Sequence, residues 1–397
     1  MIEFDPYDWL SAHNPYPTYR ELRDRAPVYR NDRFDFWALS RHADVVAAHN
    51  DPATFSSRGG VTIEGYEQDT PMLIVKDPPE HTWHRKVVSR VFTPRRIAEL
   101  EPFIRHRAGQ LLDAVRDEGR FDAVAQFSTL LPLDVISELI GIPEELRHTV
   151  HRLSDQTALR DHVAEEGFVE NRFAENSINM AALYLELVKD RRTNLGDDVI
   201  SLMIRTPFVD SDGVDQFLTD EELATRFLEL GFAGHETVAK LIANGIVALA
   251  WYPDQRRELT NDPSLMRNAI EEMLRWDPPS HLQGRTTTRD VELHGTIIPR
   301  GAKTMLVTGA ATHDEREYEQ PELFDIHRDI THPVSFGFGI HVCLGAHLAR
   351  LESRLAFEEL LGRYPDFHVE AKGVVRHVLT NVRGVSHLPV TIDSYAA

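Results

Sequence analysis

The sequence contains one cysteine, Cys343, in 397 residues, and this scarcity excludes several kinds of site. A single thiol cannot form an internal disulfide, and it cannot build a structural zinc site that needs several cysteines. Cys343 is therefore a buried apolar side chain, a nucleophile, or a ligand to a group that is not held by a cage of thiolates.

The sequence also lacks an excess of positive charge and a long apolar run near its start. It has 63 acidic and 43 basic residues and a net charge of -20, so nucleic acids and anionic membranes would repel it. The first 20 residues include Glu3, Asp5, Asp8 and Arg20, which argues against a secretory signal or a membrane anchor. We expect a cytoplasmic protein that binds no nucleic acid and has no membrane span.

No serine- and glycine-rich linker and no internal repeat divides the chain, so we predict a single domain over residues 1–397. Apolar residues at helical spacing dominate from Arg85 to Leu274. The segments that resemble strands are short and lie at 35–40, 291–301 and 388–392. The predicted fold class is mainly α with a minor β region.

Residues 218–253 predict one long helix. Thr219 and Glu222 have the spacing of a capping box and Pro253 marks the end, so roughly 30 residues would form a helix about 45 Å long. Charged residues interrupt its apolar run, which argues against a membrane span. Such a helix would run through the middle of the molecule.

The predicted helix contains an unfavourable turn. Gly231 and Gly234 each cost about 1 kcal/mol relative to alanine, and residues 235–237 are polar. One interpretation is that a ligand lies against this turn, where Ala233 and Thr237 face the same way. The other is a close helix crossing at the glycines, with the Thr237 hydroxyl bonded to the Ala233 carbonyl. These residues alone favour neither interpretation.

The stretch FGFGIHVCLG, residues 336–345, surrounds Cys343 with three glycines. Glycine permits positive-φ backbone and the close approach of a flat partner. A helical pattern follows at once, so Cys343 lies where the free N–H groups of a helix N-terminus favour a thiolate. A nucleophilic cysteine would need a base, and His341, two residues away in a tight loop, is badly placed for that role.

This loop resembles the haem-thiolate loop of the cytochrome P450 family. Residues 233–237, Ala-Gly-His-Glu-Thr, resemble the family's oxygen-activating turn on its long central helix. Residues 272–275, Glu-Met-Leu-Arg, resemble its Glu-x-x-Arg motif, and residues 77–97 resemble the helix that crosses the haem edge. The matches occur in the family's order. They imply the cytochrome P450 fold, with haem between the long central helix and the helix that follows the cysteine loop.

The resemblance implies haem b as cofactor, with the Cys343 thiolate as axial ligand to iron and O2 as co-substrate. Four cationic or histidine side chains would hold the two propionates, because these groups donate hydrogen bonds to carboxylates: His81, Arg85, Arg285 and His341. The other cofactor contacts that it implies are Ala233, Gly234, Phe336, Gly337 and Gly345. Taken singly, an arginine such as Arg85 would more often be a solvated surface charge.

The implied reaction inserts one atom of O2 into a small lipophilic substrate by hydroxylation, epoxidation or O-dealkylation. Glu236 and Thr237 are the candidate catalytic residues, as a proton relay in which Thr237 is nearer the reacting oxygen and Glu236 is linked to solvent. The alternative is a haem-binding sensor or ligand-sequestering protein without turnover. The acid–alcohol pair argues against it, because a sensor needs no proton relay.

Glu272 and Arg275 are three residues apart, a spacing that also suits an exposed helix salt bridge. The resemblance instead buries them in a network with Arg328, where they hold the cysteine loop and take no part in the chemistry. The sequence departs from the family at residues 312–314, Thr-His-Asp, where many members have Asn-Arg-Asp. We expect this change to affect surface or partner contacts and to leave haem binding intact.

In the family the substrate pocket lies beneath the loop at about 59–76 and against the long helix. The implied pocket residues are Val61, Leu230, Ala233, Val238, Leu282 and Gln283. They are mainly apolar, which predicts a lipophilic substrate. Arg58 would either anchor a substrate carboxylate or be solvated.

No flavin or ferredoxin domain is fused to the chain, so the resemblance implies that electrons come from a separate ferredoxin and its reductase. Some basic residues could form a docking patch, although scattered surface charges would look the same in the sequence: Arg58, Lys86, Arg90 and Arg95. We expect a monomer.

Overall fold

Helices dominate the structure, a computed structural model that describes residues 2–8, 13–63, 71–158, 168–331, 333–376 and 381–392. The helices are α1 (Tyr16–Arg25), α2 (His42–Asn50), α3 (Glu80–Val88), α4 (Pro94–Glu99), α5 (Glu101–Ala114), α6 (Leu130–Ile140), α7 (Glu144–Ala158), α8 (Phe168–Thr193), α9 (Val199–Arg205), α10 (Asp220–Trp251), α11 (Pro253–Asn261), α12 (Met266–Trp276), α13 (Thr308–Ala311) and α14 (Ala346–Arg363).

The strands are short and contain far fewer residues than the helices, which confirms the predicted fold class. They are β1 (Val28–Asn31), β2 (Phe36–Leu39), β3 (Phe55–Ser56), β4 (Arg120–Asp122), β5 (Phe208–Val209), β6 (Asp215–Gln216), β7 (Leu282–Thr287), β8 (Val291–Leu293), β9 (Thr296–Ile298), β10 (Lys303–Val307), β11 (Phe367–Val369), β12 (Val375–Arg376), β13 (Val385–His387) and β14 (Pro389–Ile392). The three segments predicted as strands all contain one or two of them.

The long helix α10 forms as predicted and organises the main core. Its capping box is present: the Glu222 N–H donates to Thr219 Oγ1 at 3.2 Å, and the Thr219 N–H donates to Glu222 Oε2 at 2.9 Å. Helices α6, α8, α12 and α14 pack around it. Its residues 238–249 are all buried, as expected for a helix with neighbours on every side. No helix in the described part of the chain combines the length and apolar content that a membrane crossing requires.

A five-stranded sheet lies beside the helices in the order β1-β2-β10-β7-β3. Strands β2 and β10 are parallel, and the other neighbours are antiparallel. Successive residues of a strand point to opposite faces. In β10, Met305 and Val307 therefore pack in a cluster with residues of α1, whereas Leu306 packs on the other face with residues of α2. We call these the α1 face and the α2 face of the sheet.

A buried ion network connects α12 to the chain that enters the cysteine loop. Glu272 and Arg275 are both 0% exposed, and Arg275 Nη2 lies 2.6 Å from Glu272 Oε1. Arg328 Nε lies 3.3 Å from the other Glu272 carboxylate oxygen. Ser335, directly before the cysteine loop, donates from Oγ to the Leu274 carbonyl at 2.6 Å. The structure thus brings together the three residues of the predicted network.

Residues 312–314 are buried, so the prediction that they affect surface or partner contacts is wrong. Thr312, His313 and Asp314 are 0%, 3% and 1% exposed. The His313 ring packs on Tyr16 with 4.1 Å between ring centroids, and Asp314 Oδ2 accepts the His42 N–H at 2.9 Å. These residues hold α1 and α2 against the sheet, because the chain turns inward after α13.

Candidate active site

The cysteine loop, residues 336–345, needs glycine at two positions. Gly337 and Gly339 have φ values of +68° and +67°, in the left-handed region that other residues rarely adopt. A Cβ on Gly339 would overlap the carbonyl oxygen of His49 at the end of α2. The loop therefore packs directly on the α2 backbone, and this contact fixes the position of the loop.

Cys343 is held by backbone hydrogen bonds in this loop. Its N–H donates to the Phe336 carbonyl at 2.9 Å, and the Gly345 N–H donates to its sulfur. The residue is accessible, yet protein atoms surround the sulfur closely enough that burial raises the pKa of the thiol. The Gly345 N–H and the guanidinium groups of Arg85 and Arg350 oppose this rise only in part.

A metal ion would complete the environment of Cys343. Because burial outweighs the groups that favour a thiolate, the protein alone favours the neutral thiol. A coordinated cation deprotonates a thiol outright. An accessible sulfur, one N–H donor to it and two nearby guanidinium groups fit a metal–thiolate bond better than they fit an inert cysteine.

Histidine and arginine side chains form a cluster beside the cysteine loop. We define this histidine–arginine cluster by five residues: His49, His81, Arg85, Arg285 and His341. His81 is 2% exposed, and neither of its ring nitrogens has a hydrogen-bond partner among the described residues. Its ring centroid lies 4.3 Å from that of His341. Burial and the Arg85 charge lower the pKa of His81 to about 4, so the ring is neutral at pH 7.

His341 and the two arginines have defined partners in the cluster. His341 Nε2 lies 3.1 Å from Ser57 Oγ, and burial lowers the pKa of His341 to about 2. Arg285 is 5% exposed and donates from Nη1 to the Gly284 carbonyl at 2.6 Å. Burial lowers the pKa of Arg285 to about 10, so it keeps its charge. Arg85 donates from Nη2 to the Val342 carbonyl in the cysteine loop.

One carboxylate, Asp77, acts on the cluster, and it raises the pKa values of His81 and Arg285. Its oxygens accept from Ser56 Oγ at 2.5 Å and from the Ser57 N–H at 3.0 Å. The cluster thus combines two guanidinium groups with buried nitrogens that have no partner. Two further carboxylates, such as the haem propionates, would satisfy both its charge and its free nitrogens. The residues present therefore fit haem.

The structure supports both interpretations of the unfavourable turn in α10, on different sides of the helix. A Cβ on Gly231 would lie 2.7 Å from Tyr184 Oη of α8, and one on Gly234 would lie 2.9 Å from Ile136 Cδ1 of α6. The glycines thus permit close helix crossings. On another side Ala233 is exposed, and Thr237 Oγ1 donates to the Ala233 carbonyl at 2.9 Å. That side is open to a ligand.

The predicted proton-relay residues lie on this open side. Glu236 and Thr237 are both half-buried. Leu230 is 8% exposed and lies one turn before Ala233 on the same side. Val238 is 5% exposed, and it belongs with Leu230 to the main hydrophobic core. The structure therefore places both predicted pocket residues in the core and leaves only Ala233 exposed on this side.

The pocket prediction is also wrong for Leu282. Its side chain is 2% exposed and packs in the hydrophobic cluster on the α1 face of the sheet. Arg285 is three residues further along β7 and so points to the opposite, α2 face. Gln283 shares the face of Arg285, and its amide is bonded to Ser280 Oγ at 2.6 Å and to Thr308. Val61 is half-buried, and its carbonyl accepts the Gly284 N–H at 2.8 Å.

The described residues of the predicted roof loop are 59–63 and 71–76, and the residues of the predicted basic patch are exposed. Residues 64–70 of the roof loop lie outside the described residues. The Arg58 side chain is 60% exposed, with Nε 3.8 Å from Asp77 Oδ2. Lys86 and Arg90 are exposed, and Arg95 pairs with Glu99 on α4. Surface charges of this kind are solvated.

Sequence reasoning missed His49, Ser57 and Asp77. His49 lies 236 residues from Arg285, and Ser57 lies 284 residues from His341. No local spacing connects such pairs, so no motif could have found them. The one available signal was the position of Ser57, which lies in the segment FSSRGG, residues 55–60, where the predicted roof loop begins.

Comparisons with known proteins agree with this geometry. A family model described as "Cytochrome P450" matches residues 167–386. The chain is 38% identical to "Putative cytochrome P450 123" of Mycobacterium tuberculosis (strain ATCC 25618 / H37Rv), over 99% of this chain and 98% of the relative. It is 37% identical to "Vitamin D(3) 25-hydroxylase" of Pseudonocardia autotrophica, over 100% of this chain and 98% of the relative. The structure of CYP109Q5 from Chondromyces apiculatus superimposes with a TM-score of 0.88, at 32% identity and 99% coverage of each chain.

Proposed function

The chain belongs to the cytochrome P450 family and is a haem monooxygenase, and from that premise we propose which of its residues serve the reaction and what it acts on. The observation that carries the assignment is Cys343. It is the only cysteine, it is accessible in a loop fixed by two positive-φ glycines, and the histidine–arginine cluster lies beside it.

Cys343 would hold the haem iron through its sulfur, and the loop around it would tune the thiolate. The Gly345 N–H donates to the sulfur and stabilises its negative charge. Phe336 packs against the core, and Arg350 lies over its ring at 4.5 Å, so the ring cannot swing away from the loop. Bound haem would supply the activation of O2, in which one oxygen atom enters the substrate and the other leaves as water, with two electrons and two protons consumed.

The four predicted cluster residues hold the propionates. Arg285 and Arg85 supply charge, and His81 and His341 supply N–H donors. Ser57 orients His341 through the 3.1 Å contact at Nε2. Desolvation strengthens these interactions, because His81 and Arg285 are 2% and 5% exposed. Ala233, which is exposed on the open side of α10, would leave room for the macrocycle, whereas Gly234 faces Ile136 of α6 and is not open to it.

Glu236 and Thr237 move the protons. Thr237 Oγ1 now donates to the Ala233 carbonyl, and rotation about χ1 would redirect this proton toward the reacting oxygen. Glu236 is half-buried, one residue before Thr237, and exchanges protons with solvent. The relay distinguishes an oxygen-inserting enzyme from a haem protein that only binds a ligand.

The substrate is a small lipophilic molecule that undergoes hydroxylation, epoxidation or O-dealkylation. Ala233 presents apolar surface beside the relay. A relative is named for hydroxylating vitamin D(3), which supports an apolar substrate for this chain too. Electrons come from a separate ferredoxin and its reductase, which dock on the side of α3 and α4 that carries Lys86, Arg90 and Arg95.

The test is a titration of the ferric protein with a library of lipophilic compounds, read as a low-spin to high-spin shift. Compounds that shift the spectrum are then assayed with ferredoxin, ferredoxin reductase, NADPH and 18O2. We expect at least one product that carries a single 18O atom, in a yield comparable to the NADPH consumed. Tight-binding compounds that give no oxygenated product with any electron donor would favour a ligand-sequestering protein.

A further inference from the structure

His49 lies in the last turn of α2, outside the four residues predicted to contact the propionates. It is 5% exposed. A Cβ on Gly337 would lie 3.4 Å from its Cε1 atom, and its backbone carbonyl contacts the position of Gly339. The ring is therefore enclosed between the cysteine loop and β7, where Arg285 approaches it.

The contact with Arg285 fixes the proton on the His49 ring. Arg285 Nη2 lies 3.5 Å from His49 Nδ1. A guanidinium group only donates, so Nδ1 accepts, and the proton of the neutral ring is on Nε2. Burial and the Arg285 charge lower the pKa of His49 to about 3, in agreement with a neutral ring. Nε2–H is thus a donor at pH 7.

This donor has no partner among the described residues, although it is buried. Buried donors in native proteins nearly always have an acceptor. Both ring nitrogens of His81 also lack a partner among the described residues, and the His81 ring lies 4.3 Å from that of His341 in the same histidine–arginine cluster. Three buried nitrogens without partners therefore belong to one cluster, which points to an acceptor-rich group there that the chain itself does not supply.

We propose that His49 is a further propionate-binding residue: Nε2–H donates to a propionate oxygen of the haem, and Nδ1 orients Arg285 toward the same carboxylate. This inference rests on the proposed function, since it needs haem in the site. It assigns two roles to one ring, and each role uses a different nitrogen. Substitutions that keep one nitrogen can therefore separate them.

The experiment measures the rate at which the ferric protein loses haem to excess haem-free myoglobin. Three variants are compared with the wild type: H49L, H49Q and H49N. The glutamine Nε2 keeps a donor near the position of His49 Nε2, and asparagine keeps a polar atom only near the position of Nδ1. We expect H49L and H49N to lose haem about tenfold to hundredfold faster than wild type, the range for a hydrogen bond to a charged group, and H49Q to stay within about threefold.

A second measurement separates propionate binding from packing. The same rates are measured with haem dimethyl ester, whose esterified propionates carry no charge. We expect the difference between H49L and wild type to shrink to less than about threefold. Equal urea midpoints of haem-free H49L and wild type show that the variant folds. An equally large difference with the ester, or full rescue by H49N, would overturn the proposal.

Two outcomes distinguish a failure of the proposed function from a failure of the His49 proposal. A wild-type protein that bound no haem would contradict the proposed function itself. A wild-type protein that retained haem, while H49L released it at the same rate, would contradict only the role of His49.

Discussion

The two sides of the site are built differently. On the cysteine side, most polar groups are held by two or more elements: the loop lies on α2, Ser335 binds α12, and His341 contacts Ser57. On the α10 side, the Thr237 hydroxyl bonds only within its own helix, and Ala233 is exposed. The difference suits the two tasks, because a cofactor site needs fixed geometry and a substrate site needs room.

The same contrast explains what could be read from the sequence. The cysteine loop itself consists of residues close together in the chain, such as the glycines at 337 and 339 around Cys343, so local patterns revealed it. The prediction of the substrate pocket depends instead on which face of a helix or strand each residue occupies. Leu282 was assigned to the pocket although its odd separation from Arg285 in β7 puts it on the other face of the sheet.

The comparison predicts that breaking the buried ion network has the largest effect on the free energy of unfolding. Glu272→Ala leaves the Arg275 charge unpaired where both residues are 0% exposed, and we expect a loss of about 3–5 kcal/mol in the free energy of unfolding. Urea denaturation of the haem-free protein measures it. The control is Asp254→Ala, which removes an exposed i, i+3 pair with Arg257 and should cost under about 0.5 kcal/mol. Similar values for both variants would mean that the network contributes no more than a surface pair.

A smaller but specific effect should come from the loop backbone. Gly339→Ala places a Cβ against the His49 carbonyl at a φ of +67°, so the loop must shift. We expect about 1–3 kcal/mol of strain and a corresponding fall in haem content, measured as the ratio of Soret to protein absorbance. Gly362→Ala on α14, where a Cβ meets no atom within 4 Å, is the matched control and should keep full haem content. Full haem content in Gly339→Ala would show that the loop tolerates displacement.

The cluster also predicts a pH dependence of the haem-free protein. Burial lowers the pKa of His81 to about 4 from 6.5, so the unfolded chain binds this proton first as the pH falls. The stabilising contribution of neutral His81 is therefore fully present above about pH 6.5. As the pH falls from there to about 4, the equilibrium constant for unfolding should rise by up to about tenfold per pH unit. His81→Phe should reduce the slope of the free energy of unfolding against pH by the equivalent of about one bound proton, measured by urea midpoints. An unchanged slope in His81→Phe would contradict the lowered pKa of His81.

The smallest effect on stability, with a clear effect on chemistry, is expected at α10. Thr237→Ala removes only a hydroxyl bonded to its own helix, so we expect a stability change within about 1 kcal/mol. Coupling of NADPH oxidation to product should fall by about tenfold or more, whereas Thr237→Ser, which keeps the hydroxyl, should retain most of it. Equal coupling in all three proteins would remove Thr237 from the relay.

Other parts of the site could not have been predicted from the sequence. His49 and Arg285 meet only because α2 packs on the face of the sheet to which Arg285 of β7 points. Residues 312–314 differ from the family's Asn-Arg-Asp, which suggested an effect on surface or partner contacts, yet Tyr16 packs on His313 from a segment almost 300 residues away. Contacts of this kind arise from tertiary packing and leave no local pattern.

Ligation by the Cys343 thiolate is the central claim, and the reduced carbon monoxide spectrum tests it most directly. The wild-type protein, reduced with dithionite under CO, should show the strongly red-shifted Soret band of a thiolate-bound haem. Cys343→His should still bind haem through the same cluster and show an unshifted band, because the axial ligand is then an imidazole. A wild-type protein whose freshly prepared, fully haem-loaded form lacks the shifted band would contradict the account.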